Sequence, residues 1–161
     1  MMRAVTKDDF DMIYDIYMDD DVNPFMMHEK CTKKDFRPIF DEIYNRCYSW
    51  IYQVDGEDVG MGSAVGDSGR ASHVVKIRSI GLKKEYHGQG LGEKILMEII
   101  DELVDEGFKR LFLHVEADNE KAISLYEKAG FEVEGVQKKY FKRAYEDHYV
   151  DDLVMAKIIE D

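Results

Sequence analysis

Cysteine and proline are both scarce, with two of each among 161 residues. Cys31 and Cys47 are too few for a disulfide framework, and we expect both thiols to be reduced and at least half-buried. Pro24 and Pro38 are isolated, and no stretch rich in serine and proline marks a linker. This length and composition predict a single domain over residues 1–161.

Long apolar runs are also missing. No stretch approaches the roughly 20 apolar residues that a membrane-spanning helix requires. The first residues, Met1-Met2-Arg3-Ala4, are not followed by the apolar core of a signal sequence, so we do not expect export. A cytoplasmic protein with no membrane partner is the expectation.

Positive charge is in deficit, because 22 lysines and arginines face 34 aspartates and glutamates, for a net charge of -12. Such a surface argues against nucleic acid as a partner and favours cationic ones such as amines. From Asp8 to Asp21 there are seven aspartates and no lysine or arginine. This acidic run either attracts cationic acceptors or is simply a solvated helix face with an acidic loop.

Apolar periodicity predicts a mixed α/β fold and not a simple doubly wound parallel sheet. The dipeptide Asp55-Gly56 predicts a hairpin turn, and Gly107 predicts the end of a long helix that follows a glycine-rich loop. The predicted strands cover residues 2–6, 48–54, 59–65, 73–82, 111–115, 131–140 and 149–158, and the predicted helices cover 7–18, 32–47, 91–104 and 119–129.

Three glycines, Gly88, Gly90 and Gly92, stand between a predicted strand and a predicted helix. Small residues let the backbone approach a ligand, and the unpaired N–H groups of a helix N-terminus favour an anion such as a pyrophosphate. The nucleoside-triphosphate loop is absent, because the helix continues with Glu93 and Lys94, and the dinucleotide fingerprint fails at position 93. A turn that merely joins strand to helix is the alternative.

Two motifs lie at a characteristic separation. The first is the run His87-Gly88-Gln89-Gly90-Leu91-Gly92. The second is Leu113-x-Val115-x-x-x-Asn119-x-x-Ala122-Ile123-x-Leu125-Tyr126-x-x-x-Gly130-Phe131. With these motifs the sequence resembles the GNAT superfamily of N-acetyltransferases, from about His73 to the C-terminus. The first motif is similar to the family's [Arg/Gln]-x-x-Gly-x-[Gly/Ala] loop, although His87 replaces the usual Arg or Gln.

The resemblance implies a mixed central sheet of six or seven strands flanked by about four helices, with acetyl-coenzyme A as co-substrate. No metal is expected, because no His/Cys/Asp cluster has the spacing of metal ligands. It implies that residues 87–92 hold the pyrophosphate, and that the strand end Ile80-Gly81-Leu82 pairs with the pantetheine arm. With His87 in place of Arg or Gln, one phosphate contact is expected to be weaker or pH-dependent.

The same resemblance assigns two further residues. Tyr126 is implied as the acid that protonates the departing thiolate, although helical periodicity alone favours a core tyrosine. Asn119 is implied to contact the coenzyme near the pantetheine, and it also suits the N-cap of the helix that it precedes.

An acceptor ammonium must lose a proton to a base. The identity of this base is the part of the site that the sequence determines least. Glu116 is the first choice, because it follows the strand expected to flank the cleft. Glu85, Asp118, His73 and His114 are the other candidates, and for each of the five a surface or structural role is the alternative.

Together these features predict an acetyltransferase that acts by direct attack of a primary amine, belonging to a free amino acid, a polyamine or another small molecule. The narrower resemblance is to bacterial amino-acid and small-amine N-acetyltransferases. Two alternatives stay open: an acceptor that is a protein N-terminus or lysine, and a non-catalytic module that binds acyl-coenzyme A. A homodimer is left open, as is the role of a basic patch, which either contacts coenzyme phosphates or balances acids: Lys138, Lys139, Lys142 and Arg143.

Overall fold

The computed structural model describes residues 1–161 and confirms the mixed α/β class, with four helices and a seven-stranded sheet. The strand order in the sheet is β1-β2-β3-β4-β5-β7-β6. The helices are α1 (Phe10–Met18), α2 (Lys33–Arg46), α3 (Leu91–Asp105) and α4 (Glu120–Lys128). The strands are β1 (Met2–Ala4), β2 (Tyr48–Val54), β3 (Glu57–Gly66), β4 (Val74–Leu82), β5 (Arg110–Glu116), β6 (Glu132–Phe141) and β7 (Val150–Ile158).

The chain divides into two compact units, the first formed by residues 1–65 and 78–102 and the second by residues 66–77 and 103–161. Strand β4 and helix α3 each contribute residues to both units. None of the helices combines the length and the apolar composition that crossing a membrane would require.

In the first unit, β1 pairs antiparallel with β2, and β2 with β3. The predicted hairpin is confirmed: Asp55 and Gly56 both have positive φ angles, of 51° and 81°, as a two-residue turn of the mirror-image type needs. The first strand ends earlier than predicted, because Thr6 opens a capping box with Asp9 and starts a short 3-10 turn that leads into α1.

Helix α3 packs closely against β3 because two glycines of that strand leave room for it. A Cβ atom on Gly62 would lie 2.4 Å from the Ile99 side chain, and one on Gly60 would lie 2.9 Å from Ile95. Any larger residue would push the helix away from the sheet. This packing helps to hold the first turn of α3, and the glycine loop before it, in a defined place.

In the second unit, β5 runs parallel to the start of β4 and antiparallel to β7, and β6 is the edge strand beside β7. Leu111, Leu113 and Val115 alternate along β5 and are buried. The other face of β5 carries His114 and Glu116. The antiparallel register places Glu116 directly opposite Asp152 of β7.

Candidate active site

The glycine loop has the conformation that an anion-binding loop needs. Gly88 and Gly90 each have a φ angle of 75°, in the left-handed region, and a Cβ at either position would meet no atom within 4 Å. The glycines are therefore required for backbone conformation and not for space. The main-chain N–H groups of Gly88 and Gly90 make no hydrogen bond within the protein. These donors, followed by the first turn of α3, fit a pyrophosphate group.

His87 is tied to the strand before the loop. Its ring Nε2 lies 2.8 Å from the carbonyl oxygen of Leu82, and because a carbonyl can only accept, Nε2 donates. The backbone N–H of His87 donates to the Lys84 carbonyl at 3.2 Å. In this arrangement His87 anchors the loop, and the ring atom Nδ1 is the one left for a ligand.

The end of β4 carries the three residues expected to accompany the pantetheine arm. Gly81 is buried, and a Cβ there would come within 2.4 Å of the Ile16 side chain, so this position has no room for a larger residue. Ile80 and Leu82 are half-buried. The carbonyl of Leu82 already accepts from His87, so at this residue the main-chain N–H is the group to consider for a ligand.

Asn119 caps α4, which confirms the structural alternative for this residue. Its side-chain oxygen accepts from the N–H of Ala122 at 3.2 Å, and its own N–H donates to the carbonyl of Glu116 at 2.9 Å. These bonds fix the turn by which the chain leaves β5 and enters α4. The predicted coenzyme contact of Asn119 remains a prediction.

Glu116 ends β5 as a buried carboxyl group, 7% exposed. Burial, helped by the nearby charge of Asp152, raises its pKa to about 7, although Asn119 and Arg143 act in the opposite direction. A carboxylate with a pKa near neutrality can accept a proton from an ammonium group far better than an ordinary surface carboxylate. Among the acidic candidates from the sequence, Glu116 alone combines burial with this proton affinity.

Tyr126 lies on α4, half-buried, with its ring 6.0 Å from that of Phe131. Burial, together with the charge of Glu116, raises the pKa of the phenol to about 12, so the hydroxyl keeps its proton at every working pH. This hydroxyl makes no hydrogen bond within the protein. The environment therefore separates the two groups: Glu116 can take up a proton near neutral pH, whereas Tyr126 stays protonated.

The other four candidates for the base are exposed to solvent or bonded to a charged partner. Glu85 and His73 are exposed. Asp118 is exposed and receives two hydrogen bonds from Arg143, at 2.8 and 3.1 Å, which lower its pKa. His114 is half-buried and bonded to a carboxylate, as described next.

Sequence reasoning missed the partner of His114. The ring Nδ1 lies 2.5 Å from Oδ2 of Asp152, and Asp152 is only 3% exposed. The signal was present in the predicted last strand, where Asp151 and Asp152 stand between Val150 and Leu153. Its meaning depended on the pairing of β5 with β7, which the sequence did not provide.

Arg143, part of the predicted basic patch, is buried and bonded to acids. It donates to Asp118 and, at 3.0 Å, to Glu146, and it lies over the ring of Phe141. The acid-balancing alternative therefore holds for Arg143. Its guanidinium ties the turn after β5 to the connection between β6 and β7.

One further group of polar side chains was not foreseen. Asp19, Asp21 and His87 bring three possible metal-ligand atoms within 4.8 Å of one another. Asp21 is exposed, and Asp19 also accepts from the N–H of Asp21 at 2.9 Å. Exposed acidic groups commonly gather in this way without an ion.

Comparisons with known proteins concern the family and the fold of the chain. The family model described as the acetyltransferase (GNAT) family matches residues 10–131. The N-acetyltransferase YjgM of Escherichia coli is 32% identical over 101 residues, covering 59% of this chain and 60% of the relative. The ribosomal protein bS18-alanine N-acetyltransferase of Escherichia coli is 37% identical over 78 residues, covering 48% of this chain and 51% of the relative.

The matches therefore span little more than half the length of these relatives. A solved structure of a GNAT-superfamily phosphinothricin acetyltransferase from Sinorhizobium meliloti, in complex with AcCoA, has a TM-score of 0.80 at 21% identity, covering 99% of this chain and 88% of that one. At this identity the likeness concerns the fold alone. Since the family model covers most of the sequence, this chain belongs to the acetyltransferase (GNAT) family.

Proposed function

We propose that this chain transfers the acetyl group of acetyl-coenzyme A to the primary amine of a small molecule, such as a free amino acid or a polyamine. The proposal is carried by two side chains of the second unit. Glu116 has a pKa raised to about 7, so it can take up a proton near neutral pH, whereas Tyr126 has a pKa raised to about 12 and stays protonated. Amine acetylation needs a group that takes a proton and another that gives one.

Acetyl-coenzyme A supplies the activated thioester. In this proposal the N–H groups at Gly88 and Gly90, with the first turn of α3, bind the pyrophosphate, and His87 secures that loop. The other loop residues, Gln89, Leu91 and Gly92, the strand end Ile80-Gly81-Leu82, and Asn119 complete the coenzyme-binding set.

Glu116 prepares the acceptor. An alkyl ammonium with a pKa near ~10.4 has no lone pair for attack, so a base must remove a proton before or during attack. The buried carboxylate of Glu116 accepts this proton. The free amine forms the C–N bond to the acetyl carbon, and Tyr126 donates its hydroxyl proton to the sulfur as the C–S bond breaks. The second proton that the nitrogen gives up returns Tyr126 to its neutral form.

The acidity of the chain supports a cationic acceptor. The net charge is -12, and exposed aspartates of the acidic run, such as Asp8 and Asp15, carry much of it near the N-terminus. A protein N-terminus is a second candidate acceptor, favoured by the 37% identity to the bS18-alanine acetyltransferase over 78 residues.

The test measures release of the coenzyme thiol from acetyl-coenzyme A with free amino acids, polyamines and N-terminal peptides. We expect turnover on small amines above that on peptides. The reverse order would assign the acceptor to a protein N-terminus. Binding of acetyl-coenzyme A without release for any amine would instead identify a non-catalytic module.

The role of Tyr126 is tested with the Tyr126→Phe variant. We expect kcat to fall by about 10²-fold while the Kd for acetyl-coenzyme A is unchanged, because the hydroxyl acts on the leaving group. Tyr145→Phe, at an exposed tyrosine outside the proposed site, is the matched control. An unchanged kcat in Tyr126→Phe would rule out the acid role.

A further inference from the structure

Three ionisable side chains of the second unit share one face of the sheet. Glu116 and Asp152 are directly opposite partners in the antiparallel pair of β5 and β7. Directly opposite residues project from the same face, and so do residues two apart on one strand. His114 therefore lies on the face that carries Glu116 and Asp152.

Asp152 is an unusual residue for this position, because it is a carboxyl group only 3% exposed. Its hydrogen-bonding partner is the ring of His114, with Nδ1 at 2.5 Å from Oδ2. A buried carboxylate is normally compensated by an arginine or lysine, whose charge is permanent. Here the ring of a histidine takes that place, through its hydrogen bond to the carboxylate.

Several other groups act on Glu116 or on Asp152. Arg143, in the connection between β6 and β7, and Asn119, before α4, favour the ionised form of Glu116, whereas Asp152 of β7 disfavours it. Tyr126 of α4 stays neutral at working pH. Asp118 and Glu146 hold Arg143, and Lys76 of β4 acts on Asp152.

We propose that Asp152 and His114 are a positioning pair that sets the proton affinity of Glu116, an inference that rests on the proposed function of Glu116 as the base. The negative charge of Asp152, directly opposite Glu116, holds the proton on Glu116. The hydrogen bond between the His114 ring and Asp152 draws part of that charge away from Glu116.

The first experiment compares the pH dependence of kcat/KM in four forms of the full chain: wild type, Asp152→Asn, His114→Gln and the double variant. The acidic limb of each profile is the part where kcat/KM rises with pH as the base loses its proton. In Asp152→Asn this limb should move to lower pH by about one pH unit, because a nearby negative charge is lost. In His114→Gln it should move to higher pH by about half a pH unit, because the ring that bonds Asp152 and offsets its charge is lost.

The double variant should behave like Asp152→Asn alone, since His114 acts through Asp152. Glu134→Gln is the matched control: it removes a carboxylate bonded to Arg110, at the far end of β5 from Glu116, and should leave the acidic limb in place. Movement of the limb in the same direction in both single variants, or in neither, would overturn the proposal.

The second measurement follows the Glu116 side-chain carbon by NMR titration without coenzyme or acceptor. We expect the same order of titration midpoints: Asp152→Asn below wild type and His114→Gln above it. If Asp152→Asn does not fold, the upward movement in His114→Gln carries the test, because a structural lesion alone would not raise the midpoint. Identical midpoints in wild type and His114→Gln would then count against the pair.

This design separates the two proposals. If the acidic limb persists in Glu116→Gln, Glu116 is not the base, and the assignment under the proposed function fails. The NMR midpoints still decide whether Asp152 and His114 control the proton on Glu116. If the limb disappears in Glu116→Gln but the midpoints do not move in the other variants, only the positioning pair fails.

Discussion

Glu116 and Asp152 lie opposite each other on neighbouring antiparallel strands, and both carboxyl groups are buried. Burial disfavours the charged form of each, and the charge of Asp152 further disfavours ionised Glu116. Burial therefore raises the pKa of Asp152, and burial together with Asp152 raises that of Glu116 to about 7. A protein that places two acids in this way gives up stability at neutral pH in return for a group that can exchange protons there.

The stability of the fold should therefore depend on pH through Glu116. Since its folded pKa is above the ordinary value of 4.5, the folded state binds more protons than the unfolded state between pH 4.5 and 7. Stability of the wild type from this group is greatest below that window and falls as pH rises through it. We expect Glu116→Gln to be more stable than wild type by about 2–3 kcal/mol at pH 8, and to differ little at pH 4.

Urea unfolding at both pH values measures this difference. Glu120→Gln, at an exposed carboxylate in the first turn of α4, is the control and should not reproduce the gain. Equal stability of Glu116→Gln and wild type at pH 8 would contradict the burial argument.

The left-handed glycines provide a second prediction. Gly90→Ala should destabilise the fold by about 1–2 kcal/mol, because alanine at positive φ is strained, and should also weaken acetyl-coenzyme A binding at least about tenfold. Gly56→Ala, at a φ of 81° in the hairpin turn, should have the same effect on stability with no effect on binding. Calorimetric titration of both variants separates the two effects, and unchanged affinity in Gly90→Ala would remove the loop from the coenzyme site.

Two variants of Arg143 separate the effect of its positive charge from the effect of its hydrogen-bond geometry. Arg143→Lys keeps the charge but loses the paired bonds to Asp118, so we expect a loss of about 1–2 kcal/mol in unfolding free energy with the acidic limb of kcat/KM unmoved. Arg143→Gln also removes the charge that favours ionised Glu116, so its acidic limb should move to higher pH. Identical pH profiles for the two variants would show that the charge of Arg143 does not reach Glu116.

If the acidic surface attracts a cationic acceptor, kcat/KM should depend on the salt concentration. For a cationic diamine, kcat/KM should fall about 3- to 10-fold between 20 and 300 mM NaCl, because the Debye length shortens over this range. A zwitterionic amino acid should show a smaller change. Replacing the exposed Asp8 and Asp15 by asparagine should flatten the dependence for the diamine, and a constant rate for the diamine at all salt concentrations would exclude attraction by the acidic surface.

The two cysteines and the local turns illustrate what composition and short-range sequence patterns can predict. Cys31 and Cys47 are free and half-buried, as their small number suggested. The Asp55-Gly56 turn is as expected, because it depends on the φ angles of adjacent residues. The family followed from two motifs in register, and the family model over residues 10–131 confirms it.

The sequence by itself determined the order of helices and strands, the left-handed turns at glycine and the family, because periodicity and backbone conformation are properties of neighbouring residues. Only the tertiary structure decided that His114 bonds Asp152, that Arg143 is held by Asp118 and Glu146, and that His87 is tied to Leu82. The first of these joins residues 38 positions apart. This pair depends on the register of β5 against β7, because a shift of one residue would turn each side chain to the other face of the sheet.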